Sequence, residues 1–367
     1  LTATVTDGAG NISPAAPPFV VVVDTLAPAA PSITSVIDDQ PGSTLLTNGQ
    51  LTNDAQPTLS GTTEANAIVT IRSNGTIIGT ANADGSGSWS FTPTNALAQG
   101  ENIFTVTATD VAGNTSGASA SFTVLVDSVA PSAPVILTVQ DNTAPTTGPI
   151  PNGQISNESR PALSGTGEVG ATITVLSDGQ PIGTTIVGAG GTWNFTPSTA
   201  LGNGLHTLTV TATDSAGNTS LPSGGFTYTV DTQAPAAPVI TQVADDVGPL
   251  TGNLNNGQAT NDARPTLSGT AEANSTVKIY DNGTLIDTVS ADGGGAWIFT
   301  PGTALSNGNH TLTVTATDAA GNVSSTSAGF NIVVDTVAPL APTIIQAFDD
   351  VVPGTGTLSN GAYTNDT

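Results

Sequence analysis

The sequence contains no cysteine and no methionine, and only 4 of its 367 residues are lysine or arginine. The absence of cysteine excludes a disulfide framework, a thiolate zinc site and a cysteine nucleophile. Because 28 aspartate and glutamate residues give a formal net charge of -24, the chain lacks the basic surface that binds nucleic acid or anionic lipid. Any cross-linking of the fold must come from packing or from a metal held by oxygen atoms.

Long apolar runs are also absent. The longest, from Phe19 to Val23, is far shorter than the ~20 residues that a membrane-spanning helix needs, so we predict no membrane span in this segment. No stretch of ten or more residues shows a helical period free of Gly and Pro. The chain starts at Leu1 inside a strand-like pattern without a visible signal peptide, so we expect it to be a fragment of a longer protein.

A short word, Asp-x-Ala-Gly-Asn, recurs along the chain at spacings of 103, 104 and 104 residues. It occupies Asp7–Asn11, Asp110–Asn114, Asp214–Asn218 and Asp318–Asn322. The Val-Asp-Thr/Ser word, an acidic pair and a single tryptophan recur with it, so the chain is a tandem array. We expect three complete repeats, flanked by the C-terminal part of a preceding repeat and the N-terminal part of a following one, with these bounds: 1–24, 25–127, 128–231, 232–335 and 336–367. The complete units are called repeats 1, 2 and 3 below.

Each repeat has the sequence pattern of β-strands. Phe104, Val106 and Ala108 alternate with threonines, which predicts one buried and one solvated face. Asn74-Gly75 and its counterparts in the other repeats predict hairpin turns. The predicted class is all-β: tandem immunoglobulin-like β-sandwich repeats of about 104 residues, arranged end to end as a rod in which each repeat adds about 40 Å.

Longer words make the sequence resemble a known group of repeats. They are TNDARPTLSGTAE at 260–272, WIFTP at 297–301, HTLTVTATD at 310–318 and VDT at 334–336, each with counterparts in the other repeats. They resemble the bacterial Ig-like repeats of giant type I-secreted surface adhesins of the biofilm-associated and RTX classes. That resemblance implies an extracellular, calcium-stiffened extender at the bacterial cell surface, lying between an anchor and distal binding domains.

The positions of the acidic residues independently suggest a metal. Of the 28 acids, 22 occupy recurring positions and six do not: Asp84, Glu101, Asp178, Asp281, Asp287 and Asp292. Immunoglobulin topology places the A–B loop and the end of strand G at one end of the sandwich, and the B–C and F–G loops at the other. Each junction should therefore combine acids from two neighbouring repeats, and their number on irregular loops suits Ca²⁺.

The expected ligands of the first junction are Asp38, Asp39, Asp54, Asp127, Glu168, Asp214 and Asn218. The corresponding positions elsewhere are Asp24, Glu64, Asp110, Asn114, Asp141, Glu158, Asp231, Glu272, Asp318, Asn322, Asp245, Asp246, Asp262 and Asp335. Repeat 2 has Asn142 and Glu158 where the others have aspartate, so its junction should bind more weakly or use one ligand fewer. The alternative is that Asp, Asn and Gly recur simply because they form good turns.

Other chemistry is poorly supported. Gly165–Gly170 fits the GxGxxG pattern, but no helix follows it and the sister repeats lack it. His206 and His310 share one strand position, where repeat 1 has Asn102, which favours a hydrogen bond over a catalytic base. Each of the three tryptophans is followed two residues later by a phenylalanine in a strand-like pattern, which favours packing in the core over stacking on a sugar.

Two functions remain open. The favoured one is a structural spacer in an extracellular adhesin or surface filament, whose partners are the neighbouring repeats of the same chain. The alternative is a binding module that engages a glycan, a host surface or other copies of the array. No set of nucleophile, base and orienting acid recurs, so an enzyme is not expected.

Overall fold

The computed structural model describes residues 1–366. Strands, turns and irregular segments make up this part of the chain, which confirms the all-β class. Within it, no helix has the length and apolar character needed to cross a membrane. The chain divides into two compact units, one comprising Leu1–Gln154 with Glu158–Val230 and the other Ile155–Asn157 with Asp231–Thr367. Repeat 1 and most of repeat 2 belong to the first unit, and repeat 3 belongs to the second.

Repeat 1 is a sandwich of two sheets. Its strands are β1 (Ser32–Asp38), β2 (Thr44–Leu45), β3 (Gln50–Thr52), β4 (Thr58–Thr62), β5 (Ile68–Ser73), β6 (Thr76–Asn82), β7 (Ser88–Phe91), β8 (Gly100–Thr109) and β9 (Phe122–Val126). One sheet has the order β2-β1-β4-β7 and the other β3-β9-β8-β5-β6. The β3–β9 pair is parallel, whereas the remaining pairs are antiparallel.

Repeats 2 and 3 follow the same plan. The strands of repeat 2 are β10 (Val135–Asp141), β11 (Gly148–Pro149), β12 (Ile155–Ser156), β13 (Ala162–Thr166), β14 (Thr172–Ser177), β15 (Gln180–Ile186), β16 (Thr192–Phe195), β17 (Gly204–Thr213) and β18 (Phe226–Val230). Those of repeat 3 are β19 (Val239–Asp245), β20 (Gly252–Asn253), β21 (Gln258–Thr260), β22 (Thr266–Thr270), β23 (Thr276–Asp281), β24 (Thr284–Ser290), β25 (Ala296–Phe299), β26 (Gly308–Thr317) and β27 (Phe330–Val334). A final hairpin pairs β28 (Ala347–Asp349) with β29 (Gly356–Leu358).

The sheet orders repeat with the strands. In repeat 2, β11-β10-β13-β16 form one sheet, and β18, β17, β14 and β15 are neighbours in that order in the other. Repeat 3 has β20-β19-β22-β25 and β21-β27-β26-β23-β24. One topology used three times is what a sequence period near 104 residues predicts.

The predicted alternation is confirmed in strand β8. Phe104, Val106 and Ala108 are each 0% exposed and face the other sheet, while the intervening threonines are partly exposed. The tryptophans are buried in the same core: Trp89, Trp193 and Trp297 are at most 3% exposed. Burial confirms core packing and leaves no open ring face on which a sugar could stack.

A glycine stands opposite each tryptophan because no side chain fits there. Gly165 pairs with Trp193 across strands β13 and β16. A Cβ on Gly165 would lie 2.0 Å from the carbonyl oxygen of Val135 and 2.3 Å from Cζ2 of the Trp193 ring. Gly61 and Gly269 meet equivalent obstacles in repeats 1 and 3.

The hairpin turns are also confirmed. Asn74 and Gly75 both have positive φ, at 48° and 80°, and the two residues connect β5 to β6. Positive φ at both central residues defines the type I′ turn, whose twist matches the flanking strands. Asp178-Gly179 and Asn282-Gly283 take the same conformation in repeats 2 and 3.

Candidate functional site

Three acids of repeat 1 meet at the end of the sandwich that carries the A–B loop, here called the A–B pole. Asp38 and Asp39 lie at the end of β1, and Asp54 lies just after β3. The backbone N–H of Asp39 donates to Oδ2 of Asp54 at 2.8 Å. Threonine hydroxyls donate to the other two carboxylates at 2.6 Å, from Thr52 to Asp38 and from Thr58 to Asp39.

The linker residue Asp127 belongs to the same pole. Because β3 runs parallel to β9, the chain leaves β9 beside the residues that follow β3. The backbone N–H of Asp127 donates to the carbonyl oxygen of Thr52 at 2.9 Å. The hydroxyl of Thr52 is the donor to Asp38, so a single threonine connects the linker to the acidic pair.

The F–G loop of repeat 2 is closed by its own aspartate. Oδ1 of Asp214 accepts the backbone N–H groups of Ala216, Gly217 and Asn218 at 2.8–2.9 Å. Oδ2 accepts the side-chain Nδ2 of Asn218 at 2.8 Å. The Asp-x-Ala-Gly-Asn word therefore folds a turn with both carboxylate oxygens occupied, a role that the turn-forming alternative predicts.

Asn218 also joins this loop to the linker that precedes repeat 2. Its Nδ2 donates to the backbone carbonyl oxygen of Asp127 at 2.7 Å. The A–B loop of repeat 1 lies alongside, because a Cβ on Gly217 would stand 3.5 Å from Nδ2 of Asn53. In the first unit, the pole of repeat 1, the linker and the F–G loop of repeat 2 are therefore neighbours.

The asparagine–linker hydrogen bond recurs. Asn114 donates to the carbonyl oxygen of Asp24 at 3.2 Å, and Asn322 donates to that of Asp231 at 2.8 Å. The sequence predicts these asparagines as metal ligands and does not predict this hydrogen bond. The nearly constant separation of 90 or 91 residues between the asparagine and the linker aspartate is the sequence signal that could have indicated the hydrogen bond.

The B–C loop glutamates are not drawn into these contacts. Glu64, Glu168 and Glu272 are exposed. None of their carboxylates takes part in a hydrogen bond or an ion pair with another of residues 1–366. The structure therefore brings together the A–B pole, the linker and the F–G loop, and leaves the glutamates in solvent.

Repeat 2 builds its A–B pole with a longer acid. The backbone N–H of Asn142 donates to Oε2 of Glu158 at 2.9 Å, as Asp39 does to Asp54. Glu158 is 5% exposed and Asp141 is 7% exposed. The extra methylene of Glu158 thus preserves the loop contact, although position 142 no longer carries a charge.

Repeat 3 shows the same pole around a cavity. The hydroxyl of Thr260 donates to Oδ2 of Asp245 at 2.6 Å, and its carbonyl oxygen accepts the N–H of Asp335 at 2.8 Å. Asp245, Thr260 and Asp335 line a cavity of about 360 Å³. The neighbouring Asp262 is 2% exposed and accepts the N–H of Asp246 at 3.4 Å.

The A–B pole of repeat 1 has no basic partner for its charges among the described residues. Within residues 1–366, no lysine, arginine or histidine forms an ion pair with Asp38, Asp39 or Asp54. In the same part of the chain, no three His, Asp or Glu side chains converge closely enough to hold a metal by themselves. A cation at a pole would have to complete its shell with carbonyl, amide or hydroxyl oxygens, donors that calcium accepts.

Hydrogen bonding favours the ionised form of several turn aspartates. The side-chain amide of Asn114 lowers the pKa of Asp110, and backbone N–H groups of the same loop add to the effect against the opposing influence of burial. The same arrangement with Asn11 lowers the pKa of Asp7. These loops therefore hold carboxylates, and not carboxylic acids, at neutral pH.

The three repeats match a known protein family. The family model of the bacterial Ig-like domain matches three times, over residues 29–128, 132–232 and 236–336. The chain belongs to the bacterial Ig-like domain family. The match confirms the resemblance drawn from the sequence words and the tandem organisation in three Ig-like repeats. No curated protein sequence gives a significant match.

Solved structures with similar folds include other tandem arrays. A tetra-tandem repeat from the extending region of a large adhesion protein is 22% identical, with 92% of this chain and 81% of that one covered and a TM-score of 0.30. The BSP domain of a biofilm-associated protein is 15% identical, with coverages of 86% and 67% and a TM-score of 0.20. Fibronectin(III)-like modules of Clostridium thermocellum CbhA are 18% identical, with coverages of 53% and 93% and a TM-score of 0.31.

Proposed function

We propose that this bacterial Ig-like array is a non-catalytic extender of an extracellular adhesin or surface filament at the bacterial cell surface, and that calcium stiffens its junctions. The observation that carries the proposal is the contact between Asn218 and the Asp127 carbonyl oxygen, which fixes the linker against the next repeat. An extender needs each repeat to hold its neighbour in one orientation. A linker with both backbone groups bound, as at Asp127, serves that purpose better than a flexible tether.

The charge at the pole supports a role for a cation. Asp38, Asp39 and Asp54 are linked through neutral donors, and no basic side chain in the described residues offsets them. Neighbouring carboxylates repel one another, and the repulsion is strongest where burial reduces screening by solvent and salt. Asp54 is 2% exposed, so its charge is among the least screened.

Calcium is the ion that this set of donors suits. It takes 6–8 oxygen ligands from carboxylates, amides and backbone carbonyls in flexible geometry. Within residues 1–366 no three carboxylates converge, so in the first junction calcium would have to draw Asp38, Asp54 and Asp127 together, with the amide oxygen of Asn218 as a further donor. When bound, the ion would offset two of the negative charges at the pole and cross-link the linker to the loop. We assign Asp214 to the turn instead, because its carboxylate already accepts four hydrogen bonds within its own loop, whereas those of Asp38 and Asp54 accept two each.

The test measures radius of gyration by small-angle scattering and Tm by calorimetry, in millimolar calcium and in chelator. Wild type should be extended in calcium and more mobile in chelator. Calcium at 100 times the Kd should add ~2.7 kcal/mol per independent site, and a Kd of about 10⁻⁴–10⁻³ M is usual for extracellular modules.

Asp127→Asn should weaken the response to calcium, because it removes one charged ligand from the first junction. The matched control is Asp84→Asn, which makes the same change of charge in the turn between β6 and β7, away from the linker. If chelator alters neither the radius of gyration nor the Tm of wild type, calcium does not stiffen the junctions. If wild type is compact in both buffers, the extender itself is refuted.

A further inference from the structure

One position in the F strand differs in chemistry between repeats. His310 lies in strand β26, is 4% exposed and has acceptors on both ring nitrogens. Its Nδ1 is 2.7 Å from Oδ2 of Asp281, and its Nε2 is 2.7 Å from the carbonyl oxygen of Ser306. The side chain thereby ties the hairpin of β23 and β24 to the loop before β26.

His206 makes the same pair of contacts in repeat 2. Its Nδ1 is 2.8 Å from Oδ2 of Asp178, and its Nε2 is 2.7 Å from the carbonyl oxygen of Gly202. The hydroxyl of Ser177 is 3.1 Å from the same Nδ1. Repeat 2 therefore has a hydroxyl that can donate to this nitrogen beside the carboxylate, whereas repeat 3 has the carboxylate alone.

These contacts match one protonation state of the ring. A carboxylate and a backbone carbonyl only accept hydrogen bonds, so a ring nitrogen facing either of them must carry a proton. Both nitrogens of His310 face such acceptors, which requires the imidazolium. A neutral ring would place a nitrogen lone pair against an oxygen at 2.7 Å, and if that nitrogen were Nδ1, Oδ2 of the partly buried Asp281 would lose its donor while Oδ1 already lacks one.

Repeat 1 builds the contact without charge. Nδ2 of Asn102 donates to the carbonyl oxygens of Ala98 and Gly100, at 2.8 and 3.1 Å, and its Oδ1 accepts from the hydroxyl of Ser73 at 3.1 Å. An amide has a donor and an acceptor at every pH near neutrality. This version of the contact therefore needs no added proton.

The acid accompanies the histidine even though it comes from different positions. Asp281 ends strand β23, at the position of Ser73 and Ser177 in the other repeats. Asp178 instead lies in the hairpin turn, at the position of Asn74. Repeat 1 has Asn102 and neither acid. Two separate solutions that place a carboxylate on the same ring nitrogen indicate that the ion pair itself matters.

Other titratable groups also lie near these rings or their carboxylate partners. In repeat 3, Asp287 of strand β24 lines a cavity of about 380 Å³ together with Asp281, which adds negative charge on that side. In repeat 2, the Tyr228 ring lies 6.3 Å from the His206 ring, centroid to centroid. The backbone N–H of Thr207, with the hydrogen bond and charge of His206, lowers the pKa of Asp178. That carboxylate therefore stays ionised while the imidazolium is present.

We propose that repeats 2 and 3 each bind one proton in a histidine clamp between the hairpin and the F strand, and that repeat 1 has a proton-independent version of it. The direction of the pH dependence follows because the charged imidazolium is the form that makes both hydrogen bonds. The clamp is complete only while both ring nitrogens carry a proton, because both face oxygens that only accept. Its contribution is lost as pH rises and the ring loses its proton.

The test uses the full chain in hydrogen–deuterium exchange at several pH values from mildly acidic to mildly alkaline, corrected for intrinsic exchange. Protection of hairpin 276–290 should fall roughly tenfold across the titration, which is the effect of losing one hydrogen bond to a charged group. Hairpin 172–186 should lose less, because Ser177 can donate to the neutral ring. Hairpin 68–82 in repeat 1 should not change.

Matched variants separate the proton from the packing. His310→Asn with Asp281→Ser gives repeat 3 the three side chains that repeat 1 uses, since Asn282 is already present, and it should abolish the pH dependence of hairpin 276–290. Ring ¹⁵N spectra of wild type on the acid side should show protons on both nitrogens of His310. A ring with one proton there, or equal pH responses of all three hairpins, would overturn the proposal even if the variant failed to fold.

Discussion

The contact between a glycine and a tryptophan in each repeat gives the sharpest prediction about the sandwich. We consider Gly165→Ala in repeat 2, where the added Cβ would lie 2.0 Å from the Val135 carbonyl oxygen and 2.3 Å from the Trp193 ring. Neither obstacle is the free end of a flexible side chain. The oxygen belongs to strand β10, and the ring is 1% exposed and hydrogen-bonded through Nε1 to the Thr166 carbonyl at 3.1 Å.

The size of the effect follows from these distances. An ordinary contact between a carbon and an oxygen needs more than 3 Å, so strand β10 or the indole would have to move by about 1 Å in a packed core. Overpacking of this kind costs about 1–3 kcal/mol, and two rigid obstacles place Gly165→Ala at the upper end. For a domain of about 100 residues, a loss of ~3 kcal/mol lowers Tm by roughly 10–20 °C.

Calorimetry of the full chain should therefore show one of the three repeats melting earlier, and hydrogen exchange should locate the change in strands β13 and β16. The control is Gly202→Ala, where a Cβ would meet nothing within 4 Å and the backbone is not left-handed. That substitution should be neutral or stabilise by about 0.4–1 kcal/mol through the unfolded chain. Equal melting of Gly165→Ala and wild type would refute the packing argument.

Three further predictions concern the junction and the titrating groups. Asn218→Ala should cost about 1–2 kcal/mol and speed hydrogen exchange in linker 127–131, because it removes the donor to the Asp127 carbonyl; Asn95→Ala, an exposed asparagine, is the control and should do neither. Asp110→Asn should reduce the loss of Tm in acid: the pKa of Asp110 lies below its ordinary 3.8, so its contribution is present above that value and disappears as pH falls through the lowered one. Burial raises the pKa of Tyr228, so its ultraviolet absorbance should change in alkali only when repeat 2 unfolds, whereas a normal titration of all three tyrosines would contradict that burial.

The sequence predicts the fold well because its strongest signals are local. Alternation at Phe104, Val106 and Ala108 depends on the two-residue period of a strand, and Asn74-Gly75 depends on the positive φ of its turn. Both features are decided within a few residues, so no tertiary information is needed to find them. Repetition then strengthens each signal, because the same pattern occurs three times.

The candidate site is harder to predict because the same atoms can serve two purposes. Asp214 and Asn218 have the composition of metal ligands, yet their geometry closes a turn and binds a linker. Which purpose applies depends on where Nδ2 of Asn218 points, and composition does not determine that direction. Glu168 stays a predicted ligand, and its exposed side chain has no contact in the described residues that assigns it either purpose.

Two contributions to the proposed stiffness differ in their physical origin. The hydrogen bond from Asn218 to the Asp127 carbonyl is short-range and involves a neutral donor, so salt should hardly affect it. The repulsion among Asp38, Asp39 and Asp54 is electrostatic, and monovalent salt at 0.15 M screens exposed charges only beyond about 8 Å. Asp54 is buried and Asp38 is partly buried, so such screening is incomplete at this pole. Monovalent salt should therefore leave much of the repulsion in place, and a rod that stiffens in calcium but not in equivalent sodium chloride would require direct binding at the pole.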